Sequence, residues 1–206
     1  MFKINTNLIE REMKYDNTVV LKYHIEYPSI VIPNNRNGER KFNTYNEKLA
    51  LALQKKSENE LYKESVELYK YNKSNNYPIM VYDIYRNYNV TFNSKALVSL
   101  YFDEYIFSGG ANGNTTRTSQ TWDFNYNYML QLYEFFYKNP YFLIDLLKKI
   151  NSQISINSNT YFPDSCNLVL ETFNPLNYYL TPQGIAIYFQ QYDIAPHSSG
   201  IPTFIV

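Results

Sequence analysis

The chain has 206 residues and equal numbers of basic and acidic side chains, 19 of each, so its formal net charge is zero. This balance argues against bulk nucleic-acid binding, which needs a basic excess to displace counterions from phosphates. Because Cys166 is the only cysteine, no intrachain disulfide is possible, and with two histidines the chain lacks ligands for a Cys/His zinc site. We expect no metal and no cofactor.

No stretch of the sequence has the length and apolarity of a membrane span. Residues 1–14 lack the apolar segment and the cleavage site of a signal peptide. The sequence as written therefore predicts a cytoplasmic protein without a membrane span.

Aromatic residues are unusually frequent, with 23 tyrosines and 13 phenylalanines against one tryptophan. One interpretation is an AT-rich genome, which favours tyrosine, asparagine, lysine and isoleucine codons. The other is a binding surface, because tyrosine supplies rigid amphipathic contact area at a low cost in conformational entropy. Composition leaves both open.

The N-terminal third is predicted to contain a strand and a long helix. Apolar and polar residues alternate over 17–27, and Pro28 ends this pattern. His24 falls on the polar face of the strand, where a lone histidine is usually only solvated. Residues 39–72 have apolar residues at helical spacing, interrupted at Ser57, which opens an S-x-x-E capping box. This pattern predicts two helices or one kinked helix.

The middle of the chain is predicted to be rich in β-structure. Residues 79–92 and 96–107 read as two strands joined by a hairpin turn at 93–95. Residues 115–124 are β-prone but mostly polar, which is typical of an edge strand or a solvent-facing arm. Between them lies SGGANGN at 108–114, and we expect at least one of its three glycines to adopt a positive φ.

The C-terminal part is predicted to contain one helix and three short strands. In the helix at 140–154 the apolar residues keep i, i+3, i+4 spacing, so we expect one stripe to face the sheet. Residues 155–167 read as a loop. The members of the stripe are Leu143, Leu147, Ile150 and Ile154, and the strands are expected at 176–180, 185–191 and 201–206, with a turn at 181–184.

Hairpins rather than βαβ units connect these elements, which predicts an α+β fold with a mainly antiparallel sheet packed by helices. We divide the chain into an N-terminal strand-plus-helix module at 1–76 and a C-terminal module at 77–206. The two modules are expected to form one compact unit.

Groups able to carry catalysis are scattered along the chain. Asp103 and Glu104 are neighbours on a predicted strand, so their side chains point to opposite faces. Cys166 has only His197 as a plausible basic partner, and a free cysteine is commonly a small buried hydrophobe. The glycine-rich loop lacks the P-loop pattern and a following helix, so it is either a tight connection or a ligand-contacting loop.

Two motifs resemble a bacterial domain family of unknown biochemical activity. The first lies in 97–123, LVSLYFDEYIFSGGANGNTTRTSQTWD, where a strand ends in Gly-Gly-Ala-Asn-Gly at 109–113 and the family has Gly-Gly-Ala-His-Gly. The second begins with Tyr-Tyr-Leu-Thr-Pro-Gln-Gly at 178–184, continues through an apolar strand and reads Tyr-Asp-Ile-Ala-Pro at 192–196, with Gly200 after it. This family forms the extracytoplasmic domain of RsiV-type anti-sigma factors, which sense lysozyme by direct contact. It also forms the N-terminal module of PdaC-type peptidoglycan deacetylases.

The resemblance implies binding rather than catalysis, and an extracytoplasmic setting. It points to a non-enzymatic recognition or sensing domain whose partner is a lysozyme-like protein or a cell-wall glycan. The alternative is a hydrolase acting on wall material through a carboxylate such as Asp103 or Asp193. Asn112 replaces the motif histidine and keeps hydrogen bonding without a proton to exchange near neutral pH. The contact residues that the resemblance implies are Gly109, Gly110, Asn112, Gly113, Tyr192, Pro196, His197 and Gly200.

Overall fold

A computed structural model describes residues 1–206 and contains nine strands and four α-helices. Six strands form one sheet in chain order, and three form a second, antiparallel sheet. The first sheet contains β1 (Lys3–Tyr15), β2 (Thr18–Val31), β3 (Tyr82–Asn93), β4 (Leu97–Phe107), β5 (Asn114–Asp123) and β6 (Tyr128–Met129); the second contains β7 (Tyr178–Thr181), β8 (Gly184–Tyr188) and β9 (Thr203–Ile205). The helices are α1 (Arg36–Lys56), α2 (Tyr62–Ser74), α3 (Phe142–Ile156) and α4 (Ser165–Thr172).

These elements confirm the predicted α+β class, with about equal helix and strand content and a mostly antiparallel larger sheet. By its internal contacts the chain divides into two compact units. We call them the N-terminal unit, residues 2–88 and 103–115, and the C-terminal unit, residues 1, 89–102 and 116–206. The module boundary after residue 76 stays a prediction.

The N-terminal unit begins with a long hairpin whose first strand the sequence analysis missed. Every residue of β1 is at least partly exposed, so the strand shows little apolar alternation. Asp16 and Asn17 form the turn, with φ of 49° and 59°, as a two-residue hairpin loop requires. The predicted strand at 17–27 is confirmed within β2, but Pro28 does not end it. Pairing of β2 with the parallel strand β3 stops at Ile25, so proline is tolerated beyond that point.

The long predicted helix packs its apolar stripe on this hairpin. Leu53 and Leu61 join a core cluster with Leu21 and Ile25 of β2. The predicted interruption at Ser57 is confirmed, but its form is a π-helical turn, Ser57–Leu61, between α1 and α2. The capping-box prediction is wrong, because the Ser57 hydroxyl donates back to the Leu53 carbonyl at 2.9 Å.

In the C-terminal unit, α3 and α4 pack with the three-stranded sheet around one apolar core. Ile150 and Ile154 are buried as predicted, and Leu147 is half-buried. The prediction that Leu143 faces the sheet is wrong, because its side chain is 39% exposed in the first turn of α3. Leu146, which is only 2% exposed, is buried instead. The stripe is wide enough that spacing alone does not say which of its flanks is covered. The helix α4 was not predicted.

Candidate functional site

The glycine-rich loop of the N-terminal unit connects β4 to β5, and packing explains two of its three glycines. Gly109 has φ +85°, which confirms the predicted positive φ. A Cβ at Gly109 would lie 2.3 Å from Leu68 Cδ2, and a Cβ at Gly113 would lie 2.2 Å from the Tyr105 ring. A Cβ at Gly110 would meet nothing closer than 3.8 Å. The backbone ends of the loop are therefore tightly packed, whereas Gly110 and Asn112 are exposed at its tip.

The second predicted segment, residues 190–200 of the C-terminal unit, is a turn anchored by side-chain hydrogen bonds. The amide of Gln190 clamps the main chain of Arg117, donating to its carbonyl at 2.8 Å and accepting from its N–H at 2.9 Å. The Asp193 carboxylate accepts from the Gln190 N–H at 2.7 Å and so closes the turn. Burial raises the pKa of the Asp193 carboxyl, an effect opposed by this hydrogen bond.

Buried and exposed residues alternate sharply within this turn. Ile194 and Ala195 belong to the buried core, which agrees with the view of the motif as a corner that turns the chain. Tyr192 nevertheless has φ +76° and is 65% exposed, and its ring meets Phe162 edge to face at 5.4 Å. Pro196 is exposed next to the buried pair. The motif is therefore both a buried corner and a mount for an exposed tyrosine.

The residues after Pro196 are held in place as well. Gln191 donates its amide to the His197 carbonyl at 3.0 Å and lies 3.3 Å from the imidazole Nδ1. His197 is half-buried and opens a short 3-10 turn, His197–Ser199. Gly200 ends that turn with φ +69°. His197 is thus oriented by Gln191. The sequence's candidate partner of His197, Cys166, is exposed in the first turn of α4.

The structure shows one polar surface that the sequence analysis did not find. On β1, β2 and β3 the pairing register places Glu10, His24 and Tyr85 side by side. The His24 ring stacks on Tyr85 at 5.0 Å, and its two nitrogens lie 3.3 Å from carboxylates of Glu10 and Glu26. Glu10, His24 and Tyr85, with Asp83, line a depression of about 580 Å³. Because β1 was not predicted, the sequence analysis could not place Glu10 beside His24.

Two kinds of feature are absent from the structure, a metal-binding cluster and a membrane-spanning helix. No group of three or more histidine, cysteine, aspartate or glutamate side chains is arranged to hold a metal ion. None of the helices combines the length and the apolarity that crossing a membrane would require.

The fold and these two segments define an α+β domain with one tightly packed glycine loop and one tyrosine-bearing turn. Residues 14–115 match the family model described as deacetylase PdaC, and residues 131–206 match the model of a protein of unknown function, DUF3298. The first part of the chain is thus similar to the PdaC family and the last part to the DUF3298 family, which confirms the resemblance seen in the sequence. The glycine loop falls within the first region and the Tyr192 turn within the second.

Two solved structures share the fold. A DUF3298 family member from Bacteroides fragilis aligns with a TM-score of 0.73 at 17% identity, covering 100% of this chain and 90% of the other. A DUF3298 family protein from Pseudomonas aeruginosa PAO1 aligns with a TM-score of 0.60 at 16% identity, covering 99% and 90%. No curated protein matches the sequence.

Proposed function

We propose that the chain is a non-enzymatic recognition domain whose ligand is a lysozyme-like cell-wall hydrolase or the wall glycan itself. The observation that carries this proposal is the conformation of Tyr192. A non-glycine residue in the left-handed region costs about 1–2 kcal/mol. Here the cost falls on a residue whose own side chain is 65% exposed, so burial of the Tyr192 ring does not offset it.

The surroundings of Tyr192 favour a contact surface. Ile194 and Ala195 fix the turn in the core, and Gln190 and Asp193 fix its backbone by hydrogen bonds. An exposed tyrosine on a rigid mount loses little entropy on binding, which is typical of residues that dominate interface energies. Pro196, which is exposed in the same turn, adds rigid apolar area.

The glycine loop is proposed as a second contact surface of the same kind. Its ends are fixed by the close packing of Gly109 on Leu68 and of Gly113 on Tyr105. Its exposed tip offers the Asn112 amide, which both donates and accepts hydrogen bonds. A rigid scaffold presenting a polar loop tip is a common arrangement for recognition.

The non-enzymatic part of the proposal is supported by what Asp193 does in the turn. Its carboxylate accepts from the Gln190 N–H, so it has a structural task in closing the turn, and it is this partial burial, opposed by the hydrogen bond, that raises its pKa. A catalytic carboxylic acid would instead be expected in a cleft with a second titratable group positioned beside it.

Calorimetric titration of the full chain with lysozyme and with soluble wall fragments tests the proposal. We expect saturable binding of one of them, weakened about tenfold or more by Tyr192→Gly. Glycine removes the ring and also relieves the left-handed strain, so the variant should fold at least as stably as the parent. Tyr71→Ala, which removes an exposed tyrosine from α2, is the matched control and should leave affinity unchanged.

Two results would contradict the proposal. Affinity unchanged by Tyr192→Gly and by Pro196→Ala would remove the turn as the contact surface. Turnover of wall fragments, abolished by Asp193→Asn or Asp103→Asn, would replace recognition by the hydrolase alternative.

A further inference from the structure

A second exposed aromatic surface lies in the C-terminal unit, between the 3-10 turn Leu132–Phe136 and α3. Tyr137 and Tyr141 are 79% and 68% exposed, and Leu143 and Ile144 are also exposed in the first turn of α3. Four exposed apolar side chains within eight residues of chain make this a candidate interaction surface, because large exposed apolar patches usually mark one. Neither proposed contact segment includes these residues.

The backbone that carries these side chains is pinned by Asn139. Its main-chain N–H donates to the Phe136 carbonyl at 2.8 Å, and its side-chain oxygen accepts from the Tyr141 N–H at 2.9 Å. Its side-chain amide donates to Asp145 Oδ2 at 2.9 Å. The loop between Phe136 and Phe142 is therefore a fixed mount for its aromatic rings.

The same loop encloses a groove of about 440 Å³. Phe136 and Phe142 stack nearly parallel in it, with ring centroids 5.0 Å apart and planes 12° apart, and Leu146 completes an apolar floor. The remaining lining residues are Asn139, Asp145, Lys148, Lys149 and Val206. The volume is in the range of sites for small ligands, which are mostly apolar with a few placed polar groups.

We propose that this groove binds a sugar unit that carries a carboxylate. The apolar C–H face of a sugar ring stacks on an aromatic floor, because its hydrogens complement the negative face of the π-system. The amide of Asn139 and the carboxylate of Asp145 are suited to sugar hydroxyls, which both donate and accept. The ammonium groups of Lys148 and Lys149 complement a negative charge on the ligand.

Other occupants fit the groove less well. An acyl chain would cover the polar rim of Asn139 and Asp145 without satisfying the hydrogen-bonding capacity that remains beyond their bond to each other. A flat membrane surface would not fill a concave groove.

The inference goes beyond the proposed function, because it concerns a different surface. Only the choice of a wall sugar as the probe rests on that function.

The test is an NMR titration of the isotope-labelled full chain with N-acetylmuramic acid and with N-acetylglucosamine. The two sugars differ only in the lactyl ether that carries the carboxylate. We expect saturable shifts confined to residues 136–149, with N-acetylmuramic acid binding at least about threefold more tightly. The double variant Lys148→Ala, Lys149→Ala should abolish this difference.

Matched variants separate binding from folding. Lys55→Ala with Lys56→Ala, an exposed lysine pair at the end of α1, should preserve the preference for the acidic sugar. Phe142→Ala should weaken both sugars, whereas Tyr141→Ala, which removes a mostly exposed side chain outside the groove lining, should leave both affinities unchanged.

The inference is overturned if neither sugar shifts residues 136–149, or if both bind equally to the parent chain. It is also overturned if the groove variants weaken binding of lysozyme or of anionic phospholipid vesicles while the sugars cause no shifts, because the groove would then serve a protein or a membrane. If Tyr192→Gly leaves the binding of lysozyme and of wall fragments unchanged, the proposed function is contradicted, but the inference about the groove is unaffected.

Discussion

Replacing Gly109 by alanine tests whether the glycine loop is held by packing. The residue has φ +85°, and a Cβ there would lie 2.3 Å from Leu68 Cδ2 and 3.7 Å from both Met80 Cβ and Tyr82 Cε1. The left-handed backbone costs alanine about 1–2 kcal/mol. Crowding of Leu68 adds about 1–3 kcal/mol, because an overpacked core must shift rotamers or backbone.

Against these terms stands the lower entropy of the unfolded alanine chain, worth about 0.4–1 kcal/mol. The expected net loss of stability is therefore about 1–5 kcal/mol. For a chain of this size each kcal/mol lowers the melting temperature by about 2–4 °C. The measurement is urea and thermal unfolding followed by circular dichroism.

Gly110→Ala is the matched control one residue away. It has no positive φ and no atom closer than 3.8 Å to the added methyl group, so only the unfolded-chain entropy acts and the variant should be as stable as the parent or up to about 1 kcal/mol more stable. Equal effects of the two substitutions would refute the packing argument, as would a Gly109→Ala chain that is as stable as the parent.

Further predictions concern the core and its titrating groups. Leu146→Ala should lose about 2–5 kcal/mol of unfolding free energy, whereas Leu143→Ala should lose less than about 1 kcal/mol; similar losses in urea titrations would contradict the assigned face. The Tyr23 hydroxyl donates to Glu58 at 2.7 Å and holds the pKa of that carboxyl below its usual range, so this stability is present above pH about 4.3 and disappears as pH falls through the lowered pKa. Tyr23→Phe should flatten the acid limb of a stability–pH curve, and an unchanged limb would count against the contact. Burial raises the pKa of Tyr178 to about 12, so its contribution is complete below pH about 10 and is lost through pH about 12; ultraviolet titration should show Tyr178→Phe removing a late phenolate.

Strong periodicity predicted the elements that bury a clear apolar face. Strand β2, the long helix pair and α3 were found because each buries one face along most of its length. Strand β1 was missed because all of its residues are at least partly exposed, and its partner strand rather than its own pattern defines it.

The candidate site could be predicted only in part. Glycine density indicated the positive φ at Gly109, because glycine adopts that conformation without the steric cost of a Cβ. The left-handed conformation of Tyr192 has no such signal, since it is imposed by hydrogen bonds of Gln190 and Asp193 and by burial of Ile194. The register that places His24 beside Glu10 depends on a hairpin that was not predicted.

The most direct test of the account is calorimetric titration of the purified full chain with lysozyme and with soluble wall fragments, followed by analysis of the same mixtures for cleaved products. Recognition without catalysis predicts saturable heat that depends on Tyr192 and fragments that are recovered intact. Cleaved fragments, or no binding of either ligand by a folded chain, would contradict it.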